Sequence, residues 1–583
     1  MTSAQKKRGA YFTPPQIAEY LAEWAIRSPN DSVLDPGAGD GAFLLAALDR
    51  LASLGGEGHD ALIQICGIEI DSETAAAAIE SLRNLADGGT PSVMTSDVFD
   101  VGPKDGDNAG LGYDIQLPRF DVVIGNPPYV RYHSFKGNKR KKALARARSL
   151  GVDLPALSSL WAPFLIHATT FVGETGRLAM VLPAELLTVD YGKNVRDHLL
   201  RHFDSVQLIV FEERVFPEVL EDVVLLLAEK SAQNALEFIR VQNVSSLIGS
   251  VEPVGVRRLK PAKAMGTKWT RFLLPKGIDE TYEAVASGEG IATLGDVASV
   301  DIGVVTGRND FFILSESEAL EYQIGDGSLI PILTSSRNLH GLRFAKSDFT
   351  SMESLGKKCL LIDYQGQPDK MTDPGLNLYL EQGIANGIAH AYKCKGRNPW
   401  YAVPSVYMPD AFLSYMTSSH PKFAINDAGA TCTNTVHRVR FNQSERSDPL
   451  SVATSWYNSL TMLSSELCGR SYGGGVLKHE TKEAENIFIM RPDADTSKEL
   501  RGVSDNVDSL LRSGNLEQAV QIVDEILLEG FLGISSRVLA DLGEGTESLR
   551  SRRFSRMKHT PDPSSIAPKA KPGTSVTEGV EER

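Results

Sequence analysis

The segment Asp121-Val122-Val123-Ile124-Gly125-Asn126-Pro127-Pro128-Tyr129 carries the most specific chemistry in the chain. An apolar run, 120–124, reads as a buried strand, and it breaks into a proline-stiffened turn at the end where open α/β sheets bind ligands. Pro127 keeps Asn126 out of the α region, and the two prolines remove backbone donors. The turn therefore presents acceptors: the side-chain oxygen of Asn126 and the carbonyl of Pro127. Two such acceptors suit a planar exocyclic amine, whose lone pair is delocalised until both N–H bonds are engaged and the nitrogen turns tetrahedral. Attack of that nitrogen on a methyl group needs alignment more than a strong base. Tyr129 is placed to stack on a planar base taken out of its duplex.

A methyl donor needs a cradle, and one precedes this turn. Asp35-Pro36-Gly37-Ala38-Gly39-Asp40-Gly41 follows a short apolar run and opens a helical pattern. Glycines at 37 and 39 let a ligand approach the main chain, and the helix start at Gly41-Ala42 offers amides to a carboxylate. A turn of this kind is common by itself, but acids stand at three successive strand ends: Asp35, Glu69 in Gly67-Ile68-Glu69-Ile70-Asp71, and Asp97 in Ser96-Asp97-Val98-Phe99. Glu69 suits a ribose diol and Asp97 an adenine amino group. No Gly-x-x-x-x-Gly-Lys-Ser/Thr loop accompanies them, so a nucleoside without phosphates, such as S-adenosylmethionine, fits better than ATP or GTP.

The order of these motifs resembles the γ group of amino methyltransferases, the TaqI-like adenine-N6 DNA methyltransferases of bacterial restriction-modification systems. Tyr11-Phe12-Thr13-Pro14-Pro15 comes first, then 35–41, 67–71, 96–97 and 126–129, with a long variable half behind. The resemblance implies a Rossmann-like class I fold, S-adenosylmethionine as cofactor and double-stranded DNA as substrate, with a separate cognate restriction endonuclease as a contextual partner. It assigns Thr13 to the methionine carboxylate, Asp35 and the backbone around Gly37 and Gly39 to the methionine part, Glu69 to the ribose, and Asp97 with Val98 to the adenine. Val98 stands where the family often has an aromatic residue, with Phe99 next to it. Asn126, Pro127, Pro128 and Tyr129 become the catalytic turn, and Phe216 in Val215-Phe216-Pro217 the ring that sandwiches the flipped base opposite Tyr129. The same turn also serves cytosine-N4, protein glutamine and RNA amine methylation, and a catalytically silent DNA-binding specificity subunit is a further alternative.

Strand-like runs at 32–34, 63–70, 93–95, 120–124, 176–182, 206–211 and 223–228 alternate with helical patterns, which predicts an α/β sheet positioning all of these residues over 1–235. From 236 to 495 the alternation fades into a mixed α+β pattern, read as a DNA target recognition domain. Here 301–310 and 471–478 resemble family specificity segments. Aromatic and basic residues interleave at 392–401, and His437, Arg438 and Arg440 add a smaller cluster. Such a domain is required because each base pair discriminated takes about 1–3 kcal/mol of contacts. Helical patterns occupy 496–560, and 561–583 is rich in Pro, Ser, Lys and Glu, which predicts a disordered tail.

The chain has 583 residues, 42% of them hydrophobic and 23% charged, with a formal net charge of −14. That average disfavours nucleic acid, but residues 131–148 hold eight Lys or Arg and no acid, directly behind the catalytic turn. The five cysteines are far apart, and no metal site is expected. No apolar run reaches the roughly 20 residues of a membrane span, so the expectation is a cytoplasmic protein without membrane contact.

Overall fold

The computed structural model describes residues 13–56, 58–85, 91–104, 112–130, 134–215, 222–231, 234–247, 252–443, 445, 448–472 and 475–555. Phe216, Arg131 and the expected tail at 561–583 lie outside the described residues.

The first half carries strands β1 (Val33–Asp35), β2 (Ile65–Glu69), β3 (Ser92–Thr95), β4 (Val101–Pro103), β5 (Ile115–Leu117), β6 (Phe120–Gly125), β7 (Val172–Pro183), β8 (Ser205–Phe211), β9 (Val223–Glu229), β10 (Ala235–Val241) and β11 (Gly255–Leu259). They form a nine-stranded sheet in the order β11-β10-β8-β9-β7-β6-β1-β2-β3, while β4 and β5 pair separately. β9 runs antiparallel to β7 and β8, and β11 antiparallel to β10; the other neighbours are parallel. Helices cover both faces, so β6, β8 and β9 are apolar at nearly every position rather than alternating. This is a class I methyltransferase-like α/β sheet, in agreement with the expectation from sequence.

Two local devices place the sheet's working edge. Asp121, the one polar residue of β6, accepts from Ser32 N and Ser32 Oγ at 2.9 and 2.7 Å. This pins the start of β6 beside the start of β1, so that both strands end together. The helix Pro15–Ala25 starts on a proline and buries Ile17, Ala18, Leu21, Ala22 and Ala25 against the sheet. Its docking carries Thr13, just ahead of it, to that same edge.

The first unit extends further than expected. β10 and β11 continue the sheet to Leu259, beyond the boundary at 235, because the parallel pairing of β10 on β8 buries Leu236 and Phe238. The strand expected at 63–70 begins at Ile65, since Gly58–Gln64 is helical.

The second half is mixed α+β. One five-stranded sheet joins Ala298–Ile302, Val436–Phe441, Ala411–Ser414, Phe423–Asn426 and Arg343–Phe344, and a four-stranded sheet is built around Leu329–Leu333 and Leu360–Ile362. The helices Ala494–Arg512, Leu516–Asp524 and Ser536–Ser555 do not stand apart as a terminal segment. Their Leu500, Val507, Val523, Leu542 and Leu549 join the same apolar core as the catalytic sheet, so the two halves share one interior.

Candidate active site

β1, β2 and β6 all end at one edge of the sheet, and a cavity of about 500 Å³ opens there, within the usual range of small-ligand sites. Its walls include Thr13, Gly37, Gly39, Glu69, Asp97, Val98, Asn126, Pro127 and Pro128. Residues far apart in sequence and singled out by type and spacing are thus gathered around one space.

At the β6 end, Asn126 Nδ2 donates to Thr13 Oγ1 at 3.2 Å. The amide oxygen points the other way, and Asn126 Oδ1 is buried with no partner among the described residues. An unmade bond at a buried acceptor costs about 1–3 kcal/mol, so this atom is an acceptor awaiting a donor. Tyr129 sits behind the turn and does not line the cavity. It is 6% exposed, and its hydroxyl donates to Val181 O at 3.1 Å, tying the turn to β7.

At the β1 end, Asp35 also lies just behind the lining, fully buried. Its Oδ1 accepts from Gly37 N at 3.0 Å, and its Oδ2 has no partner among the described residues. Burial raises its carboxyl to about 8, and the charges of Glu69 and Asp40 push the same way against the Gly37 bond. Gly125 makes this packing possible: a Cβ there would lie 2.6 Å from Asp35 Oδ1. An unpartnered buried carboxyl oxygen at β1 and an unpartnered buried amide oxygen at β6 fit a ligand that brings a cationic amine, which favours ionisation of the carboxyl, to the first and a neutral amine to the second.

Glu69 acts as a staple between the β1 and β2 ends. Its Oε2 accepts from Gly39 N at 3.0 Å and its Oε1 from Asp71 N at 2.9 Å. Each carboxylate oxygen retains a second lone pair for a hydroxyl in the cavity. Gly39 needs its positive φ of 55° to present that amide. Asp97 caps the short turn Val98–Asp100 by accepting from Phe99 N at 3.1 Å, and Val98 and Phe99 are both buried in the cavity wall. His167 supports this turn from behind: its Nε2–H is shared by Val98 O at 3.0 Å and Val101 O at 2.8 Å. Complete burial holds the ring neutral, its pKa pulled down to about 4.

Sequence reasoning missed part of the wall. Phe43, Phe135, Leu160 and Phe164 supply its apolar surface, and the Phe164 ring comes within 3.1 Å of where a Cβ on Gly37 would stand. Their signal is only apolar periodicity, indistinguishable in sequence from core. Lys136 and Lys139, from the basic run, also line the cavity. They belong to the cap and first turn of the helix Gly137–Ser149, which buries Ala143 and Ala147. Lys142 and Arg148 are spent on Asp100 and Asp153; Lys136, Lys139 and Lys141 remain exposed.

Comparison with known proteins finds family matches over both halves of the chain. Residues 1–263 match the N-6 DNA Methylase family, and residues 266–528 match the C-terminal domain of the type II methyltransferase M.Eco57I. Similar proteins include type II methyltransferase M.AccI of Acinetobacter calcoaceticus, 23% identical over 547 residues covering 90% of this chain and 94% of that one. Type II methyltransferase M.XamI of Xanthomonas campestris pv. amaranthicola is 26% identical over 496 residues, covering 83% and 85%. The fold resembles that of the type IIL restriction-modification enzyme MmeI, solved in complex with DNA, at a TM-score of 0.56 and 12% identity over 92% of this chain and 75% of that one. With the unpartnered Asn126 oxygen, the cavity at the strand ends and these matches together, the chain is an adenine-specific DNA methyltransferase whose residues 1–263 match the N-6 DNA Methylase family.

Proposed function

We propose that the chain methylates N6 of an adenine flipped out of double-stranded DNA at a defined sequence, using S-adenosylmethionine, as the modification component of a restriction-modification system with a γ-type motif order. The observation that carries this reading is the buried, unpartnered Oδ1 of Asn126, whose Nδ2 is bonded to Thr13, in the wall of a nucleoside-sized cavity. When bound, S-adenosylmethionine supplies an electrophilic methyl group. Asp35 takes its ammonium, the backbone around Gly37 and Gly39 and the Thr13 hydroxyl hold the methionine end, Glu69 takes the ribose diol, and Asp97, Val98 and Phe99 frame the adenine. Asn126 Oδ1 and the Pro127 carbonyl accept the two N–H bonds of the target amine, localising its lone pair toward the methyl group. Pro128 stiffens that turn. Tyr129 fixes it to β7, and stacking on the flipped base is the role that the motif resemblance gives to Tyr129 and Phe216. The exposed lysines 136, 139 and 141 meet DNA phosphates beside the extruded nucleotide. We place the protein in the cytoplasm, with a separate endonuclease as its contextual partner.

Single-molecule sequencing of DNA from cells expressing the wild type or Asn126→Ala tests the reading. Wild type should yield one motif carrying N6-methyladenine, and the variant none. Absence of the mark with wild type, or its persistence in the variant, overturns it.

A further inference from the structure

β6 and β7 are parallel, and β7 and β8 are each antiparallel to β9. β8 therefore runs in the direction of β6, and its last residue, Phe211, lies at the same sheet edge as Asn126. That end of β8 is held from far along the chain. Arg552 Nη2 donates to Phe211 O at 3.1 Å, and Ser555 Oγ to Glu212 O at 3.0 Å. The neighbouring Arg553, 2% exposed, faces the second half instead. It meets the Glu466 carboxylate at 2.7 and 3.3 Å and Ser418 O at 2.9 Å, and it bonds Gly475 O in the hairpin formed by Arg470–Tyr472 and Val476–Lys478.

Both arginines belong to the last turn of the helix Ser536–Ser555. This helix lies beyond residue 528, where the second matched family segment stops. It is seated by Gly545, whose missing Cβ would stand 2.9 Å from Ile278 and 3.1 Å from Leu463. Between the β7 end, the β8 end and the hairpin, a smaller cavity of about 100 Å³ is lined by Pro183, Glu185, Val210, Tyr472, Arg552 and Arg553. Two consecutive side chains thus hold the end of β8 and the hairpin of the second half to one helix turn.

We infer that this helix clamps the glycine-rich hairpin of the second half to the carboxyl edge of the catalytic sheet, with Arg552 and Arg553 as positioning residues for capture of the flipped adenine. The inference rests on the proposed base flipping. Guanidinium suits such a clamp because it is charged at every working pH and spreads several donors in one plane, so one side chain satisfies several carbonyls. Its contribution falls on the step after DNA binding, when the base must be held between the two halves.

Arg552→Gln, Arg552→Lys and Arg553→Gln test this in the full chain. S-adenosylmethionine titration counts correctly folded catalytic halves, duplex binding is measured separately, and single-turnover methylation at saturating DNA is expressed per cofactor-binding molecule. Arg552→Gln should keep cofactor affinity within twofold and DNA affinity within threefold, yet methylate at least tenfold more slowly, with 2-aminopurine fluorescence at the target position reduced. Arg552→Lys should recover part of the rate. A wild-type rate per cofactor-binding molecule in Arg552→Gln, or a loss that follows the number of cofactor sites, overturns the inference. Should that variant fail to bind cofactor, Arg553→Gln decides on the same criteria, because the partners of Arg553 lie in the second half. Failure of the wild type itself to methylate adenine would sink the underlying functional reading instead.

Discussion

Thr13 Oγ1 accepts from Asn126 Nδ2 at 3.2 Å across 113 positions of sequence. This bond engages the NH₂ end of the Asn126 amide and leaves its oxygen without a partner among the described residues. With the NH₂ group engaged by a hydroxyl, the atom left over is an acceptor, as the proposed transfer to an amine requires.

Asn126→Ala should therefore lower the methylation rate by about 10²–10³-fold, the usual cost of removing one preorganised transition-state hydrogen bond, with cofactor binding retained. Thr13→Val frees the amide to rotate and should cost about fivefold in rate, on the scale of one net hydrogen bond of about 1 kcal/mol. Tritium transfer from labelled S-adenosylmethionine to duplex DNA measures both. A Thr13→Val enzyme as fast as wild type would remove Thr13 from the orienting role.

Asp35 should make cofactor binding pH-dependent. Burial raises its carboxyl from 3.8 to about 8 in the free chain, so at neutral pH it is protonated. A cationic amine beside it favours the carboxylate, and binding at pH 7 should release close to one proton. Affinity should rise with pH up to about 8 and then level off. The same shift opposes folding as pH rises: the native state holds a proton that the unfolded chain gives up near 3.8, so this contribution to stability falls from about pH 4 to about pH 8. Calorimetry in buffers of different ionisation enthalpy measures the proton release, and Asp35→Asn should abolish it.

Gly125→Ala tests the close approach of β6 to β1. A Cβ would come within 2.6 Å of Asp35 Oδ1, displacing either the carboxylate or the turn. The expected result is a destabilisation of about 1–3 kcal/mol, typical of overpacking, together with at least a tenfold loss of cofactor affinity. Denaturant melts with and without cofactor separate the two effects. A variant with unchanged midpoint and affinity would show that the carboxylate has room to move.

The exposed lysines of the Gly137–Ser149 helix region should be read in the salt dependence of DNA binding. Each phosphate contact removed flattens the slope of log K against log salt by about 0.9 on duplex DNA. Lys136, Lys139 and Lys141 replaced together by alanine should reduce it by about 1–3 and weaken cognate and random duplexes alike. An unchanged slope would assign the helix to packing alone.

Much of the site is legible in the sequence because its parts sit at strand ends. A buried apolar run followed by a rigid or glycine-rich turn is recognisable locally, and the chemistry of Asp35, Glu69, Asp97 and Asn126 follows from residue type and order. The extent of the sheet is less legible: β10 and β11 follow the point where α/β alternation fades, and only pairing with β8 identifies them as part of the catalytic unit. The apolar wall residues Phe43, Phe135 and Phe164 carry no mark distinguishing a cavity from a core.

The order of motifs was sufficient to predict an amine-methylating turn behind a nucleoside cradle, since both are contiguous and their backbone demands are local. Only tertiary structure decided which atom of Asn126 is left without a partner, because Thr13 arrives ahead of a separate helix. Burial in three dimensions likewise sets the protonation of Asp35, which no neighbour in sequence could fix. The attachment of the helix Ser536–Ser555 to the end of β8 belongs to the same class: Arg552 and Phe211 stand 341 positions apart, and their bond exists only because the two halves share one core.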